Sequence, residues 1–159
     1  MLKLTKKADY GLISLKHLAV KNGSASAKEI ADAYGIPLPL LSKVLQKLAR
    51  GGFLRSEHGT HGGYRLARNA KSISALEVIR SIDGPIFLTS CFTGQTTCDQ
   101  SHRCTVREPL RRVHDGIQNL LASISIAEMA QDDLEEGAPA CAEPAFAAAE
   151  PELTVLRNA

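Results

Sequence analysis

The stretch Ser26-Ala27-Lys28-Glu29-Ile30-Ala31-Asp32-Ala33-Tyr34-Gly35-Ile36-Pro37-Leu38-Pro39-Leu40-Leu41-Ser42-Lys43-Val44-Leu45-Gln46-Lys47-Leu48-Ala49-Arg50-Gly51-Gly52 decides the fold. Ser26 and Glu29 make the S-x-x-E pattern of a capping box: the serine hydroxyl accepts from the Glu29 amide while the Glu29 side chain reaches back. A helix opens there, with Ala27, Ile30, Ala31 and Tyr34 as its inward face. Gly35 ends it, because glycine enters the left-handed region at little cost. A turn through Ile36, Pro37 and Leu38 leads to a helix from about Pro39 to Arg50. Leu41, Val44, Leu45 and Leu48 form one face of that helix; Ser42, Lys43, Gln46, Lys47 and Arg50 form the other. A small residue at the crossing, a glycine turn and apolar residues packing back are the requirements of a helix-turn-helix. The second helix of such a unit enters the major groove of double-stranded DNA. Ser42, Lys43 and Gln46 are the candidates for base contact and Lys47 for phosphate, with Arg50 and Lys28 adding to the basic surface.

Working outward, residues 5–21 place Ala8, Leu12, Leu15 and Ala19 at helical spacing. Downstream, Phe53-Leu54-Arg55-Ser56 reads as a strand, residues 57–63 as a Gly-rich turn, and Tyr64-Arg65-Leu66-Ala67-Arg68 as the return strand. A hairpin here makes a wing, with His58 and Arg65 as DNA-facing residues. Ser74-Ala75-Leu76-Glu77 is a second capping box, opening a helix to about Ile82 that Asp83-Gly84-Pro85 ends. From about Thr105 to Gln131 a single long helix is expected, with Pro109 tolerated in its first turn. Its apolar residues Val106, Leu110, Val113, Ile117, Leu120 and Ile124 recur at alternating four and three, a coiled-coil seam. Such a face needs a cover, and a second copy of the chain is the expected one. The fold class is therefore mainly α: a winged helix-turn-helix over 1–71, a loop and dimerisation helices over 72–131, and a disordered Ala/Glu/Pro-rich acidic tail over 132–159.

Charge follows the same division. Residues 1–71 carry 13 Lys/Arg against 4 Asp/Glu, residues 72–127 carry 5 against 5, and residues 128–159 carry 1 against 8. A basic head with a neutral middle is the footprint of a nucleic-acid binder. No apolar run approaches the roughly 20 residues of a membrane span, and the first residues lack the apolar core of a secretory signal. A cytoplasmic protein without a membrane partner is expected. No paired acid and base, nucleophile constellation or phosphate loop points to an enzyme.

Between the two C-terminal helical regions the chain reads Cys91-Phe92-Thr93-Gly94-Gln95-Thr96-Thr97-Cys98-Asp99-Gln100-Ser101-His102-Arg103-Cys104. The spacing C-x6-C-x5-C is wider than the pairs of zinc fingers. Clustered thiols in a reducing compartment point to metal before disulfide, and thiolates suit iron–sulfur clusters. Three thiolates leave one place for a further ligand, for which His102 is available. Zinc-bound or redox-active thiols are the alternative, as is a protein-interaction adaptor built on the same helices. Cys141 lies in the tail with no second thiol nearby.

The combination resembles the Rrf-two family of winged helix-turn-helix transcriptional regulators, of the iron–sulfur type found in IscR- and NsrR-like members. The matching stretches are residues 4–12, Ile30-Ala31 through Leu54, the wing from Gly59 to Ala67, Ile82-Asp83-Gly84 and the three-cysteine loop. The resemblance covers about residues 1–130. It implies a homodimer that binds promoter or operator DNA, usually as a repressor. It also implies a 2Fe–2S or 4Fe–4S cluster on Cys91, Cys98 and Cys104 that sets DNA affinity, with control of cluster biogenesis or of redox and nitric-oxide responses as the family roles. IscR-like members take the fourth ligand from a histidine three residues after the last cysteine, where this chain has Arg107. NsrR-like members take it from an aspartate in the first helix of the partner subunit, where this chain has Asp9. The sequence departs from the family in two places: six residues separate the first two cysteines in place of five, and His58 replaces the usual wing-tip arginine.

Overall fold

Thr5 caps the first helix: its hydroxyl accepts from the Ala8 amide at 3.3 Å. A computed structural model describes residues 4–58, 62–93 and 98–135. The order is α1 (Lys6–Lys21), α2 (Ala27–Tyr34), α3 (Leu38–Arg50), β1 (Leu54–Glu57), β2 (Gly63–Leu66), α4 (Ala75–Asp83), α5 (Arg107–Ser123) and α6 (Ile126–Glu135). Single 3-10 turns lie at Ala70–Ser72 and Ser90–Phe92. The mainly helical winged fold read from the sequence is the one observed.

Each helix of the N-terminal head is made as its residues dictate. Ser26 caps α2 by accepting from the Glu29 amide at 3.1 Å, and Gly35 ends it at φ 61°. Leu41, Val44, Leu45 and Leu48 of α3 are all buried. They meet Ala8, Leu15 and Leu18 of α1, Ile30 and Ala31 of α2, and Val78, Ile79 and Ile82 of α4 in one core. Ile126 of α6 is buried in that same core. The closest approach is at Gly11, where an added Cβ would stand 2.2 Å from Ile82 Cδ1 and 3.7 Å from Val44 Cγ1. Three helices converge on that missing side chain.

The wing is a two-stranded antiparallel hairpin in the register Leu54↔Leu66, Arg55↔Arg65, Ser56↔Tyr64 and Glu57↔Gly63. It is fastened to the α1–α2 connection by Ala25 and Tyr64, whose amides donate to each other's carbonyls at 3.0 and 2.8 Å. A Cβ on Gly63 would lie 2.4 Å from the Ala25 carbonyl oxygen, so only glycine lets the strand come this near. The wing tip at 59–61, loop residues 94–97, and residues 136–159 with Cys141 lie outside the described residues. The disordered tail expected from residue 132 is overtaken at its start: residues 132–135 form the last turn of α6, and the rest of it, from 136, is undescribed.

Three expectations are corrected. The Glu29 side chain does not return to Ser26; it pairs with Lys21, an ammonium that outcompetes a backbone amide for the carboxylate. Tyr34 faces outward, its hydroxyl 3.2 Å from His17 Nδ1. The single helix expected over 105–131 is two. Ile124 turns to an extended conformation, and Ser125 begins α6 by accepting from the Glu128 amide at 3.2 Å while Glu128 accepts from the Ser125 amide at 2.6 Å. The break lets the Ala75 amide donate to the Ile124 carbonyl and the Ile126 amide to the Ile73 carbonyl, both at 2.9 Å, which turns α6 back onto α1. A third S-x-x-E pattern, Ser125 to Glu128, marked this in the sequence beneath the stronger heptad pattern.

The cap at Ser74 is reciprocal: Glu77 accepts from the Ser74 amide at 3.1 Å and the Ser74 hydroxyl accepts from the Glu77 amide at 3.3 Å. The Ser74 backbone hydrogen bond, ahead of the Arg68 charge, holds the Glu77 carboxyl below its ordinary range. A lowered carboxylate stabilises the fold above its unfolded pKa and loses that effect as pH falls through the folded one. Wild type should therefore exceed Glu77→Gln in urea stability at neutral pH, with the gap closing on acidification. Ser125→Ala should cost about 1 kcal/mol in the same assay.

Candidate nucleic-acid interface and cysteine loop

Opposite its buried stripe, α3 presents Lys43, Gln46, Lys47 and Arg50 to solvent, with Ser42 half-buried beside them. Their spacing of three and four residues keeps them on one face. The helix begins at Pro37 without a side-chain cap and carries no acidic residue in its first turn. Its first turn closes on itself: the Leu40 and Leu41 amides both donate to the Pro37 carbonyl at 3.0 Å, and Pro39 has no amide to offer. Lys28 is exposed in the first turn of α2. Lys47 has a second engagement: Nζ donates to the Ile82 carbonyl at 2.7 Å. That places a cation at the C-terminal end of α4, where the helix dipole favours one.

On the wing, Arg65 is exposed and its Nη1 donates to Glu57 Oε1 at 2.9 Å across the hairpin. His58 is exposed where the described part of the tip ends. Arg68 stacks over the Phe53 ring, 5.0 Å from its centroid, fixing the wing base to the end of α3.

The three loop cysteines are free thiols. Cys91 is half-buried in the 3-10 turn, with Thr89 Oγ1 3.0 Å from its sulfur. Cys98 is exposed and Cys104 half-buried, three residues before α5. His102 is exposed, and Arg107 opens α5. Asp9 is exposed in the first turn of α1, at a depression of about 250 Å³ shared with Leu12, Ile13, Lys16 and Met129. Among the described residues, no three His, Cys, Asp or Glu side chains are gathered closely enough to hold a metal ion. Within one chain the structure therefore does not assemble Cys91, Cys98 and Cys104 with Asp9 or His102.

The sequence reading missed how the loop is seated. His114 on α5 stacks on Phe87 at 6.3 Å, nearly parallel, and lies 5.3 Å from Phe92, the neighbour of Cys91. Gln118, one turn on, has Nε2 2.8 Å from His114 Nε2 and donates to the Ile86 carbonyl at 3.3 Å. Arg80 of α4 donates to Gln118 Oε1 at 2.7 Å. A chain of contacts thus runs from the N-terminal core through α4 and α5 to the Cys91 turn. The i, i+4 pair His114–Gln118 and the aromatics flanking Cys91 were the available signals, masked by the heptad pattern on the same helix. Near the start of α5, hydrogen bonds from Arg111 hold the Glu108 carboxyl below its usual range.

The outer face of α5 is bare: Val106 is 57% exposed, Val113 50% and Leu120 62%. No residue of α5 is buried in the single chain.

His114→Ala should free the Cys91 turn. Loss of stacking worth about 0.5–1.5 kcal/mol should speed maleimide labelling of Cys91, mapped by peptide mass, about 2- to 10-fold in reduced, cluster-free protein. An unchanged rate would assign the seating to other contacts.

Comparison with known proteins gives a consistent picture. Residues 4–132 match the model of the Rrf2, or Rrf-two, family, described as iron-dependent transcriptional regulators. The HTH-type transcriptional regulator IscR of Photorhabdus laumondii is 30% identical over 130 residues, covering 80% of this chain and 79% of that protein. Protein aau3 of Rhizobium meliloti is 30% identical over 141 residues, covering 87% and 88%. The structure of CymR, the global cysteine regulator of B. subtilis, superposes with a TM-score of 0.72 at 28% identity, covering 83% of this chain and 98% of that one. IscR of T. potens superposes at 0.68 with 28% identity, covering 87% and 93%.

Proposed function

This chain belongs to the Rrf2 family of transcriptional regulators, and from that premise we propose that it is a homodimeric repressor whose hold on operator DNA is set by an iron–sulfur cluster. The observation that carries this is an adjacency. Three free thiols sit on the one segment joining α4, which is packed beneath the recognition helix, to α5, whose apolar face is bare.

In this reading α3 enters the major groove, with Ser42, Lys43 and Gln46 toward bases and Lys47 and Arg50 toward phosphates. Lys28, His58 and Arg65 extend the contact onto the backbone and minor groove. Val106, Val113 and Leu120 pack against the same residues of a second copy, and covering the half or so of each that is exposed is worth about 1 kcal/mol apiece. That spaces two recognition helices for two half-sites.

The donor set fits a cluster: three soft thiol ligands on one irregular segment, with sulfurs half-buried to exposed. Cys91, Cys98 and Cys104 would hold it, and Asp9 of the partner subunit would complete it from its exposed place on α1. When bound, the cluster supplies a link sensitive to iron supply, oxygen, redox state or nitric oxide. The chain's own part is transmission. His114, Gln118 and Arg80 carry the position of the Cys91 turn to α4, whose last turn rests on α1 and holds Lys47 of α3.

The test is protein prepared without oxygen. Wild type should show visible absorbance and acid-labile sulfide, and should enrich genomic fragments that the cluster-free form binds with altered affinity, by about 5- to 150-fold. Cys98→Ala should lose the absorbance and stay a folded dimer, while Asp9→Ala should shorten the cluster's lifetime. A full spectrum in Cys98→Ala would refute its ligand role. Leu120→Glu should yield monomers by sedimentation and weaken DNA binding; a persistent dimer would move the interface away from α5.

A second reading is a DNA-binding dimer with zinc-bound or redox-active thiols; its redox-active form needs no gathered ligands, only the three free thiols of one chain. A colourless anaerobic preparation without sulfide would select it.

A further inference from the structure

Between the first turn of α1, the edge of α3 and the end of α4 runs an open groove of about 490 Å³. Four lysines line it, Lys6 and Lys7 from α1 and Lys43 and Lys47 from α3. Its one carboxylate is already held: Asp83 accepts from the Thr5 hydroxyl at 2.7 Å and from the Thr5 amide at 3.4 Å. Lys47 uses one of its three donors on the Ile82 carbonyl, which leaves its charge and two N–H groups. The side chains of Lys6, Lys7 and Lys43 have no hydrogen-bond or ion-pair partner among the described residues.

We propose that this groove is a phosphate seat for DNA, in which Lys6 and Lys7 grip the duplex backbone beside the recognition helix. The inference rests on α3 being the DNA-reading helix and adds two ligands outside the helix-turn-helix. Like charges gathered in one cleft repel, and an anion between them removes that cost. The groove is also continuous with the reading surface, since Lys43 and Lys47 belong to both. A duplex with α3 in its major groove carries phosphates along both flanks of that helix, about one charge per 1.7 Å of axis. The Thr5–Asp83 tie fixes the first turn of α1 to the residue before Gly84, where the segment leading to the cysteines begins. The grip of Lys6 and Lys7 is thereby mechanically joined to the sensory loop.

The chemistry would also suit a free phosphate ester, so the test separates the two. Full-length protein is titrated onto a labelled mixed-sequence DNA duplex across a salt series. The double variant Lys6→Gln/Lys7→Gln should flatten the plot of log K against log salt by about 0.9 for each lost contact, about 1.8 per protomer. Its melting temperature should be unchanged, and Lys6→Arg/Lys7→Arg should restore the slope. A slope equal to wild type's overturns the proposal. If inorganic phosphate then still protects Lys6 from acylation, the groove is a free-anion site. Failure of wild type itself to bind the duplex at low salt overturns the DNA reading along with it.

Discussion

Gly11 is the point on which the structure turns. With no side chain there, Ile82 of α4 and Val44 of α3 both reach the α1 backbone, and three helices meet in one contact. Close packing of this kind has few intermediate positions, because interiors resist small changes of volume. The end of α4 is therefore locked to α3, the helix proposed to face DNA. Lys47 reinforces the lock from α3, and Thr5 reinforces it from α1. Any force arriving at Ile82 and Asp83 reaches the reading surface through these ties.

The loop that begins one residue later is held differently. Its attachments are two aromatic rings, one imidazole and a glutamine amide, in place of an interlocked core. Such contacts are worth about a kilocalorie each. A segment anchored at one end by a packed core and at the other by modest polar and aromatic contacts can be reset by ligand binding without unfolding the head. The separation of the three thiols in a single chain suits that arrangement, since a bound group would have to gather them.

Much of this was legible beforehand. Caps at Ser26 and Ser74, the left-handed Gly35 and the apolar stripe of α3 are local rules, and all appear where the sequence places them. The errors share a cause. Glu29 satisfies its local motif equally well on paper with Ser26, yet Lys21, eight residues away, arrives through the fold and takes the carboxylate. The heptad over 106–124 is a true stripe, but it extends past Ser125 only if that residue's own capping preference is ignored. His114 and Gln118 were invisible as a site because their partners, Phe87, Phe92, Ile86 and Arg80, lie 22 to 38 residues earlier in the chain.

The sequence by itself determined the first four helices, the caps at Ser26 and Ser74, the wing, the basic head and the three thiols, because each is written in a period, a spacing or a charge count within a few residues. Only the tertiary structure decided that α6 folds back onto α1, that Lys47 serves α4 as well as the surface, and that Lys6 and Lys7 stand beside α3. Those outcomes depend on which elements compete for the same buried volume and the same few acceptors. That competition takes place between residues distant in the chain, where no local pattern records it.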